Sequence, residues 1–255
     1  DTEGLYDIEN GSAKDLPLFS LSILLTTVLM INFTGALDTG ILDQLGLVTR
    51  LTDMLHSDDA EGGDFNTFFP SLIFLARDFN LKISAEYGDE QGYLQGALTE
   101  RKGFSKQVNE LNMTLRFIKG VFPGLLLRTF VTPVDNPEEN LDKMGTDSSL
   151  IKDKFLEQLQ TLRSDIDRLC SIKTVNGVPL TGRRYARVAQ TYVDAMNNNQ
   201  QMSIPNAFEI LCREEMQRAV QTGLNHYVKM WKETASEFPI DPHSMDEFNE
   251  SYTTD

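Results

Sequence analysis

The alternation of short apolar runs with amphipathic segments most constrains how this chain folds. Three runs have the length of a single buried β-strand: Thr26–Phe33, Phe69–Ala76 and Leu125–Val131. Apolar residues recur every three or four positions in three helical segments: Asp38–Leu55, Gln107–Lys119 and Leu150–Leu169. Strands that alternate with helices are joined by right-handed crossovers into a mostly parallel sheet. The pattern therefore predicts an α/β fold, a mostly parallel sheet flanked by helices.

The strand pattern stops after Leu169, and the remaining sequence is helical in character. Val175-Asn176-Gly177 predicts a turn, Tyr185–Met196 an amphipathic helix, and Ile204-Pro205 the start of a longer helix. We therefore expect an α/β domain over residues 1–202 and the start of an all-α domain over residues 203–255.

The uncharged segment Leu16–Phe33 is close to the length of a membrane-spanning helix. Pro17 and several Ser, Thr and Asn residues interrupt it, however. We favour a short helix, Leu18–Leu25, that leads into a central parallel strand covered on both faces.

Charge and cysteine content exclude some classes of function. The net charge of −15 comes without an offsetting basic stripe, so we expect no nucleic-acid partner. Cys170 and Cys212 have no Cys or His at metal-ligand spacing, and the three histidines are scattered, so no zinc site is predicted. We expect both cysteines to be buried free thiols in a reducing compartment, the cytoplasm.

The chain begins with a D-x-x-G pattern, Asp1-Thr2-Glu3-Gly4. In a nucleotide hydrolase, Asp1 would hold Mg²⁺ through water and the Gly4 amide would approach the γ-phosphate, where a side chain would obstruct. The same pattern recurs at four other aspartates: Asp43, Asp59, Asp89 and Asp142. A turn at a strand end also explains each match, and only its position ahead of the element described next singles out Asp1.

Arg77-Asp78 follows the apolar run Ser71–Leu75, so a strand delivers a carboxylate at its C-terminal end. Ligands bind at that edge of open α/β sheets. A carboxylate only accepts hydrogen bonds, and guanine offers N1–H and an N2 amino group side by side, whereas adenine offers an acceptor at N1. Asp78 is thus a candidate guanine ligand, and a cap for the next element or a pair with Arg77 is the alternative.

The phosphate-cradling pattern G-x-x-x-x-G-K-[ST] does not occur in these 255 residues, and the chain opens without Met. Most nucleotide affinity comes from the amides and Lys of that loop. We therefore expect a piece of a longer protein that binds GTP weakly and is inactive alone.

Two further loops are less specific. The loop that begins at Pro133 lies where a third nucleotide-contacting loop would be, although the first turn of a helix explains Asp135 and Pro137 equally well. Arg101, Lys102 and Lys106 form a small basic loop that suits a phosphate or partner, or simply a solvated surface.

Taken together, these residues resemble the guanylate-binding proteins, which are large dynamin-related GTPases. The resemblance rests on several phrases spread along nearly the whole chain: Asp1–Leu5, Leu16–Phe33, Phe68-Phe69-Pro70, Leu75–Phe79, Phe122-Pro123, Thr132-Pro133-Val134, Val175-Asn176-Gly177, Thr191-Tyr192-Val193 and Ile204–Trp231. Arg77-Asp78 in place of the usual Asn/Thr-Lys-x-Asp is the most specific. The atlastins share it, but Glu3 stands where they usually have Gln.

The resemblance implies a partial Ras-like G domain and roles for its residues. Asp1, Thr2 and Gly4 would lie on the phosphate and Mg²⁺ side, Glu3 would help order the attacking water, and Arg77 and Asp78 would hold guanine. Pro133–Leu150 would cap the base, in a region through which such domains form homodimers across the nucleotide face.

The implied ligands are GTP or GDP with Mg²⁺, and we expect any membrane contact of the full protein to lie outside this chain. The family's phosphate loop, catalytic Arg and first switch would precede Asp1. The alternatives are a non-catalytic interaction module, truncated or degenerate, and an atlastin-like membrane-remodelling GTPase.

Overall fold

The structure is a computed structural model that describes residues 12–44, 69–175, 177–198, 200, 204–234 and 242–253. The chain divides into two compact units, Asp1–Ile204 and Pro205–Asp255. A three-stranded parallel sheet flanked by helices is followed by further helices, which confirms the predicted fold class.

The elements along the chain are α1 (Ser12–Leu25), β1 (Val28–Thr34), α2 (Thr39–Gln44), β2 (Ser71–Arg77), α3 (Glu90–Ala97), α4 (Lys106–Val121), β3 (Leu125–Thr129), α5 (Pro137–Asn140), a 3₁₀ turn (Ser148–Leu150), α6 (Asp153–Leu169), β4 (Thr174–Val175), β5 (Val178–Pro179), α7 (Gly182–Asn197), α8 (Ile204–Thr234) and α9 (Pro242–Thr253). The predicted helix Asp38–Leu55 is described only as far as α2. The predicted turn lies between β4 and β5, where Gly177 has φ +74°.

The described sheet has the order β1-β2-β3, so β2 is its central strand. The expectation that the first strand would be central and covered on both faces is wrong for these residues. Among the described strands β1 pairs only with β2, and Met30 is 45% exposed. The register places Thr34 opposite Arg77, so the ends of β1 and β2 coincide.

One face of the sheet packs against α6. Ile73 of β2, Phe130 after β3 and Leu162 of α6 form a buried apolar cluster. The apolar stripe of α6 that the sequence predicted also supplies Phe155, Ile166 and Leu169, which pack against this cluster together with residues of the strands. α3 also packs against β3. The helices therefore fix the loops at the carboxyl ends of the strands.

The carboxyl end of α1 is held by side chains from distant parts of the sequence. Lys173 Nζ donates to the carbonyl oxygens of Ile23 (3.4 Å) and Thr26 (2.8 Å), and the Tyr185 hydroxyl donates to the carbonyl oxygen of Leu25 (3.1 Å). These bonds satisfy carbonyl groups that have no partner within the helix. The helix-then-strand interpretation of Leu16–Phe33 is confirmed, and no helix in the described ranges is long and apolar enough to cross a bilayer.

The pKa of Lys173 predicts how stability changes with pH. Burial lowers this pKa to about 8, so between pH 8 and the ordinary lysine pKa of 10.5 the unfolded chain binds more protons than the folded chain. The free energy of unfolding should therefore rise over this window, by at most about 3 kcal/mol. Urea titrations at several pH values would measure the rise.

Lys173→Met should abolish the rise, whereas Lys119→Met, at an exposed position, should keep it. Burial also raises the pKa of Tyr192, and this raised pKa makes the free energy of unfolding fall above about pH 10. The comparison of the two lysine variants is therefore confined to lower pH. An equal rise in the Lys173→Met variant would contradict this account.

Gly92 in the first turn of α3 is required by close packing. A Cβ atom there would overlap the carbonyl oxygen of Tyr87, whereas a Cβ atom at Gly120 in α4 would meet open space. Gly92→Ala should lower the free energy of unfolding by about 1–3 kcal/mol. Gly120→Ala should raise it by up to about 1 kcal/mol, because alanine favours a helix. Thermal or urea unfolding of both variants checks the contrast, and equal effects would contradict it.

Both cysteines are free, as expected, but the expectation that they are buried is wrong. Cys170 is exposed just after the last residue of α6, and Cys212 is exposed on α8. Helical spacing near apolar residues did not determine which face each thiol occupies.

Candidate functional site

Backbone hydrogen bonds bring together the segments that follow the three parallel strands. Gly35 N donates to the carbonyl oxygen of Arg77 at 2.7 Å, and Phe130 N donates to that of Ala76 at 2.8 Å. Phe79 N then donates to the carbonyl oxygen of Phe130 at 2.9 Å. Asp78 therefore lies between the segments after β1 and β3, at the carboxyl edge of the sheet, where ligands of such sheets bind.

Asp78 has a backbone conformation that is uncommon for a residue with a side chain. Its φ is +51°, in the left-handed region, and its side chain is half-buried. Within the described residues its carboxylate has no hydrogen-bond or ion-pair partner, so it is neither a helix cap nor paired with Arg77. Backbone strain at a strand end with an available acceptor is typical of a ligand site.

The left-handed backbone at Asp78 can be tested with alanine and glycine substitutions, because the usual stability advantage of alanine over glycine should be reversed there. Asp78→Gly should unfold with a free energy about 1 kcal/mol above that of Asp78→Ala, because only glycine tolerates this φ without cost. At Asp167, an exposed position within α6, the same pair of substitutions should show the opposite order by about 1 kcal/mol. Urea unfolding of the four variants measures both differences, and the same order at both positions would contradict the assignment.

Arg77 is exposed, and its guanidinium reaches across to β1. Its Nε donates to Asn32 Oδ1 at 2.6 Å, and its Nη2 lies 3.4 Å from Thr34 Oγ1. The structure thus places Arg77 beside Asn32 and Thr34, two residues that the sequence analysis did not select. Their only signal in the sequence is their position at the end of a strand, two residues apart on one face.

Aromatic packing holds the segment after Asp78. Phe79 is buried against Tyr93 of α3, with ring centroids 5.9 Å apart, and Tyr93 contacts Tyr87 at 5.8 Å. Burial raises the pKa of Tyr93, and a hydrogen bond with the backbone of Leu37 opposes that rise. These contacts join the segments after β1 and β2 through α3.

A charged network joins β3 to α3 and α6. Arg128 Nε donates to Asp165 Oδ2 at 2.6 Å and its Nη1 to Glu90 Oε2 at 3.0 Å, while Arg168 donates to Asp165 Oδ1 at 3.0 Å. Burial would raise the pKa of Asp165, but the two arginines outweigh it and hold that pKa below its ordinary value. A cavity of about 450 Å³ adjoins the network. Because the two arginines already pair with carboxylates, we expect the network to be structural.

Hydrogen bonds join the two ends of the loop predicted to cap a base. Val134 and Ile151 form an antiparallel bridge, and Lys152 N donates to the carbonyl oxygen of Pro133 at 2.8 Å. Lys152 Nζ also pairs with Asp135 Oδ1 at 3.0 Å. A one-turn helix starts at Pro137 within the loop, as the helical alternative predicted.

The predicted phosphate-side residues Asp1, Thr2, Glu3 and Gly4 lie outside the described residues, so their placement stays a prediction. One of the other D-x-x-G matches has a structural explanation. Asp89 caps α3 by accepting from Gly92 N at 2.8 Å, which is a structural use of the same pattern. Within the described ranges, no cluster of three or more His, Cys, Asp or Glu residues could hold a metal ion.

Comparison with known families identifies the protein family of this chain. The family model described as "Guanylate-binding protein, N-terminal domain" matches residues 1–174, and that of the C-terminal domain of the same proteins matches residues 176–254. The chain belongs to the guanylate-binding protein family.

Individual relatives agree with the family models. Guanylate-binding protein 7 of Homo sapiens is 30% identical over 252 residues, which cover 94% of this chain and 39% of the relative. Guanylate-binding proteins 2 and 5 of Mus musculus are 30% and 32% identical, covering 97% and 91% of this chain and 46% and 41% of the relatives. The chain therefore spans less than half the length of these guanylate-binding proteins.

Proposed function

We propose that this chain supplies the base-recognition part of a GTP-binding and GTP-hydrolysing large GTPase of the guanylate-binding type. The observation that carries the proposal is the half-buried Asp78 carboxylate, which has no partner among the described residues and lies at the carboxyl edge of the parallel sheet. Membership of the guanylate-binding family supports the same assignment.

In this proposal Asp78 reads the base. Its two oxygens accept from N1–H and the N2 amino group of guanine, and an adenine would leave both the carboxylate and its own N1 unsatisfied. Discrimination by buried unpaired groups is stronger than discrimination by shape alone. Arg77 belongs to the same site, next to the base-reading residue.

The phosphate side of the site is assigned to the first residues. Asp1 would hold Mg²⁺ through water, Thr2 and Gly4 would face the phosphates, and Glu3 would take part in ordering the attacking water. Mg²⁺, when bound, neutralises charge that develops on the phosphates during transfer. Pro133–Leu150 covers the base and forms part of the homodimer surface. The compartment proposed for the protein is the cytoplasm.

The 255 residues alone should bind nucleotide weakly and should not hydrolyse it. They contain no G-x-x-x-x-G-K-[ST] loop, whose amides and Lys supply most of the phosphate affinity. The remaining base contacts support a dissociation constant of GDP nearer to about 1 mM than to about 1 μM.

Titration of the isotope-labelled chain with nucleoside diphosphates tests the proposal, because amide shifts in NMR spectra detect millimolar binding. GDP should shift the amides of Asp78 and its neighbours, IDP, which lacks the N2 amino group, should do so more weakly, and ADP should leave them in place. Equal shifts with GDP and ADP, or none with GDP, would overturn base recognition. Submicromolar, Mg²⁺-dependent binding of GTP would instead contradict the weak affinity expected of this chain.

A further inference from the structure

The guanidinium of Arg77 is already engaged by the neighbouring strand. Thr34 lies opposite Arg77 in the parallel register, and Asn32 lies two residues earlier on the same face of β1. Nε and Nη2 of Arg77 point to the Asn32 and Thr34 oxygens at 2.6 and 3.4 Å. The side chain therefore bridges the carboxyl ends of β1 and β2.

The backbone of Arg77 reinforces this bridge. Its carbonyl oxygen accepts from Gly35 N at 2.7 Å, so the residue is tied to β1 through both its main chain and its side chain. The next residue is Asp78, whose left-handed backbone depends on the surrounding structure to hold it. Any slip between the ends of β1 and β2 would move the Asp78 carboxylate.

We infer that Arg77 is a positioning residue, fixed by Asn32 and Thr34, that aims the Asp78 carboxylate at the base and makes no base contact of its own. This inference rests on the proposed function, since it assigns the roles within the same site. Asn32 and Thr34 thereby become determinants of base selectivity although neither reaches the base.

The bridge should matter more for binding than for folding. Asn32, Thr34 and Arg77 are all exposed, and exposed polar contacts contribute little to stability. Recognition, by contrast, is sensitive to displacements of a carboxylate by a fraction of an ångström.

GDP and IDP distinguish positioning from direct contact, because they differ only in the N2 amino group that Asp78 would accept from. The test measures their dissociation constants for this chain together with any coding sequence that adjoins it in its gene. In Asn32→Ala, Arg77→Met and the double variant, GDP binding should weaken about tenfold and IDP binding less, so that the GDP preference falls towards one. The double variant should be no worse than either single variant.

A conservative replacement supplies the control. Asn32→Asp keeps an acceptor for Arg77 Nε and should keep the GDP preference near that of the unmodified protein, and thermal unfolding should change little in every variant. Equal weakening of GDP and IDP by Arg77→Met, with Asn32→Ala unchanged, would show that Arg77 contacts the nucleotide directly and overturn the inference. Absence of any GDP preference in the unmodified protein would instead overturn the proposed function.

Discussion

Asp78→Asn should exchange guanine for xanthine as the preferred base. The amide keeps an oxygen that accepts from N1–H, but its NH₂ group opposes the guanine N2 amino group and donates to the C2 carbonyl oxygen of xanthine. Loss of a charge-assisted hydrogen bond and the new donor–donor clash should cost GDP about 3 kcal/mol, roughly a hundredfold in affinity. Competition between GDP and XDP, for this chain with any adjoining coding sequence, measures the change.

The variant is suited to this test because Asn, like Asp, is found in left-handed backbone conformations, so the fold should be unaffected. Asp167→Asn makes the same chemical change at an exposed position of α6 and should leave the preference for GDP unchanged. Unaltered guanine selectivity in Asp78→Asn would remove that residue from base recognition.

Asp165→Asn should have the largest effect on stability. Asp165 is 7% exposed and accepts from both Arg128 and Arg168, so the substitution leaves Arg128 with a weakened partner in a partly buried position. Breaking a buried ion pair from one side should lower the free energy of unfolding by about 3 kcal/mol. Urea unfolding near neutral pH measures the loss.

Acid should have a parallel effect on the unmodified chain. Because the folded-state pKa of Asp165 is lowered, its contribution is present above the ordinary Asp pKa and is lost as pH falls through the folded value. Asp165→Asn should flatten this part of the acid dependence, and Asp167→Asn should not. Equal stability of the two variants at neutral pH would mean that the network on β3 is not structural.

The sequence predicted the elements that carry strong apolar periodicity. α6 and β2 were predicted to within three residues, because each buries a continuous apolar stripe or run. α3 was missed, since Gly92 and Gly96 lower helix propensity and hide its pattern. The one signal for it is Asp89, which matches the D-x-x-G pattern and whose carboxylate caps the helix.

The candidate site likewise has one part that the sequence predicted and one part that it did not. Asp78 was found because a carboxylate directly after an apolar strand falls at the ligand-binding edge of a parallel sheet. Asn32 and Thr34 were missed because their contact with Arg77 depends on the register between β1 and β2, and those strands are separated by more than thirty residues of sequence. The exposure of Cys170 was missed for a related reason, since the spacing of apolar residues in α6 does not show whether another element covers the residue that follows the helix.

The most direct test of base recognition by Asp78 is a crystal structure with bound GDP, determined for this chain with any coding sequence that adjoins it. We predict that the two Asp78 carboxylate oxygens lie within about 3.2 Å of guanine N1 and N2, with Arg77 still bound to Asn32. A guanine bound elsewhere, or an Asp78 side chain turned away from the base, would contradict this prediction.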